Sequence, residues 1–156
     1  MTQPPPEVVE RIRHKKAQYT RLADTKQWYK FDTIFVDDAT FHFVDIDGKA
    51  IFPPDAAAGA DSPHTWVSRD AWAAFFDKGL ADFQVIHQVG PGEFDMVRED
   101  EVRAVFSVLY HSGPKGYGAG DKHETGGGHY RETWVRKEGD WFCTDLWMQR
   151  LYHRVT

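Results

Sequence analysis

The strongest constraint on the fold is a change of hydrophobic period partway along the chain. Between residues 7 and 35, apolar side chains recur at the spacing of amphipathic helices, whereas from Thr40 they alternate with polar side chains as in a strand. A further helix is predicted between Ser68, a good N-cap residue, and Gly79, and later segments up to Tyr152 read as strands. Helices gathered early and strands gathered late predict an α+β domain, with helices on one face of a bent antiparallel sheet.

The chain length predicts a single domain. A chain of 156 residues can bury a core without disulfide bridges. The proline run at positions 4–6 blocks a helix before it, so residues 1–6 are expected to form a disordered tail and residues 7–156 the domain. Cys143 is the one cysteine, so no internal disulfide can form, and a reducing, cytoplasmic compartment is the simpler expectation.

Charge and composition exclude some classes of partner and suggest another. A net charge of −5 lacks the basic footprint of a nucleic-acid-binding domain. No apolar run approaches the length of about eighteen residues that a membrane-spanning helix needs. Aromatic residues make up 15% of the chain, with six Trp and eleven Phe. This richness fits either a heavily aromatic core or an aromatic-lined cavity for a flat ligand, and composition alone leaves both interpretations open.

Three polar residues lie where chemistry could take place. Asp24 is at a helix junction, His87 is in mid-strand among apolar residues, and His111 is at a strand end. A buried imidazole needs a partner for each ring nitrogen, and backbone groups or water can supply both. The residues alone therefore favour a structural core histidine at position 87 over a functional one.

Several segments resemble scytalone dehydratase, and the last hairpin resembles the wider SnoaL-like polyketide cyclase group. The resemblance runs from about Val8 to Leu151 and rests on the order and spacing of residues 24–28, 35–39, 85–90, 98–111 and 127–141. It implies the nuclear-transport-factor-2-like architecture. In that fold, a cone-like curved antiparallel sheet and three helices from the N-terminal half of the chain enclose a pocket, with the helices wrapped against the sheet.

The resemblance also implies a set of pocket residues. Asp24 and His87 correspond to an aspartate–histidine pair, and His111 corresponds to a second pocket histidine. The two tyrosines that hold a water on the substrate carbonyl in scytalone dehydratase are replaced by Ala23 and Phe43. The chain therefore resembles the dehydratase in its acid–base pair but not in its carbonyl-polarising groups, and dehydration of scytalone itself is not expected.

Two further positions of the family pocket, a serine and an asparagine, correspond to His129 and Arg131. These residues share one face of a predicted strand. Arg131 could replace the lost tyrosines and stabilise a developing enolate. We expect the substrate to be contacted by a mainly apolar group of residues: Trp28, Phe43, His129, Leu146 and Met148.

These residues predict a cofactor-independent acid–base enzyme, either a dehydratase, a cyclase or an isomerase, for a small hydrophobic carbonyl or polyketide-like metabolite. Histidine suits this task because its unperturbed pKa of about 6.5 lets it take and return a proton near neutrality. Asp24 would fix the tautomer of His87, His87 would abstract the proton, and His111 would be the second acid or base. The alternative is a non-catalytic small-molecule-binding module of the same fold.

Other candidate sites are weaker. His87, His111 and His129 could converge on zinc from neighbouring strands, but no tight histidine motif is present, so no metal or other cofactor is expected. Residues 112–128 read as a glycine-rich loop, and no helix follows it that could bind a nucleotide phosphate. Residues 46–66 are typical of a lid or other mobile segment.

The late strands indicate self-association. Trp134 and Trp147 look exposed on the long strands that follow Val102. In the architecture that the resemblance implies, the outer face of the sheet commonly packs on another subunit. A homodimer or homotrimer is therefore expected, with a small hydrophobic substrate as the other partner and with neither nucleic acid nor a membrane.

Overall fold

The computed structural model describes residues 2–116 and 122–156. The helical elements are α1 (Pro6–Asp24), two 3₁₀ helices (Trp28–Thr33 and Ala56–Ala58) and α2 (Arg69–Gly79). The strands are β1 (Phe35–Val44), β2 (Phe83–Val89), β3 (Glu93–Arg98), β4 (Glu101–Pro114), β5 (Glu124–Lys137) and β6 (Asp140–Val155). The division into early helices and late strands confirms the predicted α+β class.

The strands form one curved, open sheet in the order β1-β6-β5-β4-β2, with β3 also paired to β4. Both β2 and β3 lie along the same edge of β4, one beside each half of that strand. Four pairings are antiparallel, as predicted. The fifth corrects the prediction, because β1 lies parallel to β6. Alternation within a strand specifies which face is buried and not the direction of a partner that is distant in sequence.

Helix α1 packs one apolar stripe against the inner face of the sheet. Ile12, Tyr19 and Leu22 are buried in the same core cluster as the strand residue Tyr130. The first residue of the helix is a proline, which suits this position because its missing N–H would have no helical acceptor. The helix ends at Asp24, and Lys26 then takes a positive φ of 58°. This turn leaves the Asp24 side chain at the end of the helix, beside β2.

The N-terminal segment contacts the domain. The Met96 amide of β3 donates a hydrogen bond to the Thr2 carbonyl at 2.8 Å, and Pro4 is buried. The helix begins at Pro6, within the stretch that the sequence predicts to be a disordered tail. Residues 2–5 are thus placed against β3 and the start of α1.

Helix α2 covers β1 with aromatic side chains. Ser68 caps the helix as predicted, because its hydroxyl accepts from the Ala71 amide at 3.2 Å. Trp72 then stacks on Phe41 of β1 with ring centroids 4.6 Å apart. Helices α1 and α2 therefore stand on the same side of the sheet, and a cavity lies in the space between them.

The strands β4 and β5 extend further than predicted. Residues 112–114 belong to β4, and β5 begins at Glu124, so much of the segment expected to be a glycine-rich loop is sheet. Part of that loop prediction, residues 117–121, lies outside the described residues. Glycine is needed at position 126, where an added Cβ would lie 2.2 Å from the Tyr110 ring. The Tyr110 side chain therefore lies directly over the backbone of β5.

The long segment 46–66 is tied along the edge of β1. The Ile51 amide donates to the Phe43 carbonyl at 2.9 Å, and the Thr65 amide donates to the Phe41 carbonyl at 2.8 Å. Phe52 packs on Phe43 with ring centroids 5.8 Å apart. The segment thus covers the sheet edge and adds an aromatic wall to the cavity. In the described part of the chain, no helix has both the length and the apolar character to cross a membrane.

Candidate active site

A cavity of about 310 Å³ lies between the two helices and the inner face of the sheet. Both interpretations of the aromatic composition apply, because aromatic residues fill the core and also line this cavity. The lining has an apolar part formed by Ala23, Trp28, Phe43, Ile51, Phe52, Trp72, Phe75, Phe76, Gly79, Leu80, Val85 and Met148. Its polar part is formed by Tyr19, His87, Tyr110, Ser112, Glu124, Tyr130 and Arg150.

Asp24 and His87 form a two-point contact at the cavity wall. The Asp24 Oδ1 lies 2.6 Å from the His87 Nδ1, and the His87 amide donates to Oδ2 at 3.1 Å. A carboxylate can only accept, so Nδ1 carries the hydrogen and Nε2 is the acceptor nitrogen of the ring. The two side chains are 15% and 14% exposed. The structure thus brings the two residues into contact, and the ring of His87 lines the cavity.

His111 does not line the cavity, which corrects its expected place in the pocket. On β4 the inward positions are Val108, Tyr110 and Ser112, so residue 111 points to the outer face. There, the His111 Nδ1 lies 3.1 Å from the Thr125 Oγ1. A shift of one residue along a strand exchanges the two faces of the sheet, so His111 and the cavity-lining Tyr110 point in opposite directions.

Arg131 and His129 are also on the outer face of the sheet. Both are exposed, and they flank the inward Tyr130 on β5. The Arg131 guanidinium lies 4.6 Å from the centroid of the Trp147 ring. Arg131 is therefore not placed to stabilise an enolate in this cavity, and His129 is not placed to contact a substrate there.

The three histidines considered as zinc ligands do not converge. His87 lines the cavity, whereas His111 and His129 do not. Within residues 2–116 and 122–156, no three histidine, cysteine, aspartate or glutamate side chains are grouped to hold a metal ion.

The apolar residues expected to contact a substrate divide into two groups. Trp28, Phe43 and Met148 line the cavity. Leu146 does not, because it is fully buried in the core below the cavity. Its strand partner Glu132 is buried there as well.

Two tyrosines that the sequence analysis did not select line the inner part of the cavity. Tyr19 lies one helical turn before Ala23 on α1, and its ring meets that of Tyr130 edge-on at 5.7 Å. Burial raises the pKa of both hydroxyl groups above the usual tyrosine value. Both phenols therefore stay protonated at neutral pH and can donate hydrogen bonds. Tyr19 could have been predicted from the sequence, because it lies four residues before Ala23 and therefore on the same face of α1.

A second polar cluster, formed by Tyr110, Glu124, Arg150 and His153, stands beside His87. The Tyr110 hydroxyl donates to Glu124 Oε1 at 3.2 Å and accepts from Arg150 Nη1 at 3.4 Å. His153 Nε2 lies 2.7 Å from the same Glu124 oxygen. Burial raises the pKa of Tyr110, and Arg150 opposes that shift. The sequence analysis missed this cluster because it assigned residue 124 to a loop.

The curved sheet with helices on its inner side defines the nuclear-transport-factor-2-like class of α+β fold. The chain belongs to the SnoaL-like domain family, which matches residues 7–146. It is 42% identical over 150 residues to a Gibberella zeae protein named "Probable cyclase FGR4", and this match covers 96% of the chain and 95% of that protein. The family resemblance implied by the sequence is thereby confirmed.

Solved structures show the same fold at low sequence identity. The Kfla4162 protein of Kribbella flavida matches with a TM-score of 0.76 and 15% identity, over 95% of this chain and 93% of that one. A Novosphingobium aromaticivorans protein provisionally described as a scytalone dehydratase matches with a TM-score of 0.70 and 17% identity, over 93% and 85%. A hexachlorocyclohexane dehydrochlorinase (LinA type 2) matches with a TM-score of 0.69 and 14% identity, over 96% and 87%.

Proposed function

We propose that the chain is a cofactor-independent acid–base enzyme of the cyclase or dehydratase type, in which His87 moves the proton. The observation that carries this proposal is the two-point contact between Asp24 and His87 at the wall of an aromatic cavity. Membership of the SnoaL-like family and the name of the Gibberella zeae relative support a function of this type. The role of the pair and the class of substrate are our inference.

The geometry suggests a proton-transfer sequence. With Nδ1–H held by Asp24, the Nε2 lone pair of His87 takes a proton from a carbon next to a carbonyl group. The electron pair of the broken C–H bond moves to the carbonyl oxygen and forms an enolate. The imidazolium then returns the proton to a leaving hydroxyl group, which departs as water, or to another carbon. In a cyclisation, the enolate carbon instead bonds to a second carbonyl carbon, the π pair of that carbonyl moves to its oxygen, and this oxygen takes the proton from the imidazolium. Asp24 faces the positive charge throughout.

The cavity favours a small, flat substrate. Its volume of about 310 Å³ is at the lower end of the range for ligand pockets. Aromatic rings from α2, β1 and the segment 46–66 form most of its apolar wall, where Phe76 lies 5.7 Å from Phe43 between ring centroids. We therefore propose a small hydrophobic carbonyl compound, of which a polyketide-like aromatic ketone is one case.

The test is proton abstraction from small aryl ketones such as 2-tetralone, followed as deuterium incorporation in D₂O by NMR. We expect His87→Ala to lower the enzyme-dependent exchange rate by about 10²- to 10⁴-fold, with an unchanged circular dichroism spectrum. The matched control is His111→Ala, which removes a histidine on the outer face and should leave the rate unchanged. Equal exchange by the wild type and His87→Ala would end the proposal.

The second candidate is a binding module without chemistry. It is favoured by Ala23, a residue without a hydrogen-bonding side chain, and by Phe43, because both line the cavity at positions where the resemblance implies tyrosines. Ketone binding by the wild type without any exchange above background would select this alternative.

We further propose a homodimer or homotrimer formed through the outer face of the sheet. Ile86, Leu109 and Tyr152 are exposed there on three different strands. Trp134, which looked exposed in the sequence, is instead buried and donates to Glu132 at 2.9 Å. Light scattering that shows a monomer at micromolar concentration would contradict the proposal. Cys143, free and buried, is consistent with the reducing, cytoplasmic compartment that we also propose.

A further inference from the structure

We propose that Arg150 binds an ionised oxygen of the ligand, so that the cavity takes flat compounds with an acidic oxygen, such as phenols and enolisable 1,3-dicarbonyls, as phenolates or enolates. The inference rests on the proposed function, because it names the class of substrate for the same cavity. Arg150 thereby takes the role of stabilising a negatively charged oxygen, which the sequence suggested for Arg131.

Arg150 faces the cavity because of the local sheet register. It follows Leu146 and Met148 on the inward side of β6, and it lies opposite Gly128 of β5. The pairing is irregular between Gly127 and Gly128, so the register changes just where the arginine stands. Among the described residues that line the cavity, Arg150 is the one lysine or arginine.

The guanidinium of Arg150 has unused bonding capacity. Its described contacts from Nη1 are long, at 3.4 Å to the Tyr110 hydroxyl and 3.8 Å to Glu124 Oε1. Charge-assisted N–H···O bonds are ordinarily about 2.7–2.9 Å long, and a guanidinium has five N–H donors. Arg11 shows the contrast in the same molecule, because it holds Asp140 with two bonds of 2.8 Å. A ligand oxyanion could therefore bind Arg150 more closely than its present partners do.

The carboxylates near this wall are engaged by imidazoles. Glu124 is 2.7 Å from His153, and Asp24 contacts His87 through both of its oxygens. Each carboxylate thus has a partner other than Arg150. Neither carboxylate is described at hydrogen-bond distance from Arg150, so the guanidinium stays available to a ligand anion.

Tyr110 links the arginine to the proposed base. It is the strand partner of His87, and the centroids of the two rings are 6.0 Å apart. Its hydroxyl contacts Arg150. An enolate formed at His87 would therefore arise on the wall that carries the Arg150 cation, where positive charge stabilises the developing oxyanion.

The experiment uses 4-nitrophenol, whose absorbance separates phenol from phenolate. Binding is read from quenching of tryptophan fluorescence, because Trp28 and Trp72 line the cavity. Below the pKa of the free phenol, we expect wild-type protein to bind the ionised form, with the pKa of the bound phenol lowered by at least about one unit. A phenol that stays neutral when bound, or that does not bind, would overturn the inference.

Variants assign the effect to one residue. Arg150→Met should weaken phenolate binding about tenfold or more and leave bound phenol neutral, whereas Arg150→Lys should retain part of the preference. Arg131→Met is the matched control, since it removes an exposed arginine from the outer face and should change nothing. Thermal melting identifies any unfolded variant, and Arg150→Lys then decides the matter. Wild-type behaviour of a folded Arg150→Met protein, or of Arg150→Lys where Arg150→Met does not fold, would contradict the inference.

The same assay separates this inference from the proposed function. Loss of proton exchange in His87→Ala tests the enzyme, whereas loss of the phenolate preference in Arg150→Met tests the role of the arginine. Phenolate binding without exchange in the wild type would support the role of Arg150 and reject the enzyme. Proton exchange by a wild-type protein that binds the phenol in its neutral form would support the enzyme and reject the role of Arg150.

Discussion

Two pairs of ionisable side chains in this protein differ in whether a ligand can reach them. Asp24 and His87 are 15% and 14% exposed, and His87 lines the cavity. Lys16 and Glu132 contact each other in the core with side chains only 2% and 1% exposed. The Lys16 ammonium also lies 3.6 Å from the centroid of the Tyr130 ring, and Glu132 accepts from the Trp134 indole at 2.9 Å. One pair opens on a space for a ligand, and the other is enclosed by protein.

The difference teaches that burial of charge does not by itself mark a reactive site. Burial lowers the pKa of Lys16 from its usual value, a shift of the kind found at active sites. However, Lys16 does not line the cavity, whereas Tyr19 and Tyr130 stand between it and that space. We therefore expect the enclosed pair to act on stability and the open pair on chemistry.

The largest expected effect is on stability, from Lys16→Met. Removing the ammonium leaves the Glu132 carboxylate buried without its partner, which should lower the free energy of unfolding by about 3–5 kcal/mol. Urea denaturation measures this, with Lys78→Met on the exposed side of α2 as the control. The double variant Lys16→Met/Glu132→Leu should recover part of the loss. A loss from the single variant no larger than that of the control would contradict the assignment of a structural role.

The next effect is on chemistry, from Asp24→Asn. The amide can present an N–H to His87 Nδ1 and so favour the wrong tautomer, which should lower the rate of ketone deuteration about 10²- to 10⁴-fold. The free energy of unfolding should change by no more than about 1 kcal/mol, because the site is partly open to solvent. A large loss of stability with an unchanged exchange rate would mean that Asp24 and His87, like Lys16 and Glu132, act on stability and not on chemistry.

A smaller effect is expected from Gly126→Ala, which tests how the open site is built. The new Cβ would lie 2.2 Å from the Tyr110 ring, so the ring must move away from Glu124 and Arg150. We expect the free energy of unfolding to fall by about 1–3 kcal/mol and the preference for 4-nitrophenolate to weaken. Gly79→Ala is the control for the free energy of unfolding, because an added Cβ there meets nothing within 4 Å. An undisturbed phenolate preference would show that the position of Tyr110 does not matter.

The smallest effect concerns an outer charge cluster and depends on pH. Two bonds from Arg11, with Lys15 at 2.9 Å, hold the pKa of Asp140 well below its usual value. Because the folded pKa is the lower one, the carboxylate stabilises the fold above the unfolded pKa of about 3.9, and this stabilisation is lost as the pH falls below it.

Asp140→Asn should therefore cost about 1 kcal/mol at neutral pH, and the difference from wild type should shrink in acid. Urea denaturation at several pH values measures this, with the exposed Asp95→Asn as control. A difference that does not vary with pH would assign the effect to packing.

The parts of the site that follow from local pattern were predictable, and those that depend on strand phase were not. Asp24 and His87 could be selected because a helix end and an apolar strand are both predicted by local pattern. The family resemblance then indicated that these two residues form a pair. His111 was predicted to face the pocket, but the adjacent Tyr110 does so, and neighbouring residues of a strand point to opposite faces of the sheet.

Long-range pairing was also beyond the sequence. The irregular register near Gly128 and the start of β5 at Glu124 depend on the contacts of β5 with β4 and β6. Those contacts bring Glu124 and Arg150 together, so the cluster could not be read from either segment alone. The helix boundaries were easier to predict because caps such as Ser68 act locally.

The parallel contact between β1 and β6 has a consequence for how the molecule is made. In the order of the sheet, β1 stands at one end, and its neighbour β6 lies far along the sequence from it. Antiparallel hairpins can form during synthesis, whereas this contact joins segments about a hundred residues apart and must come late. Until then, Phe43 has no strand beside it, and a nascent chain that already carries His87 has no finished cavity around it.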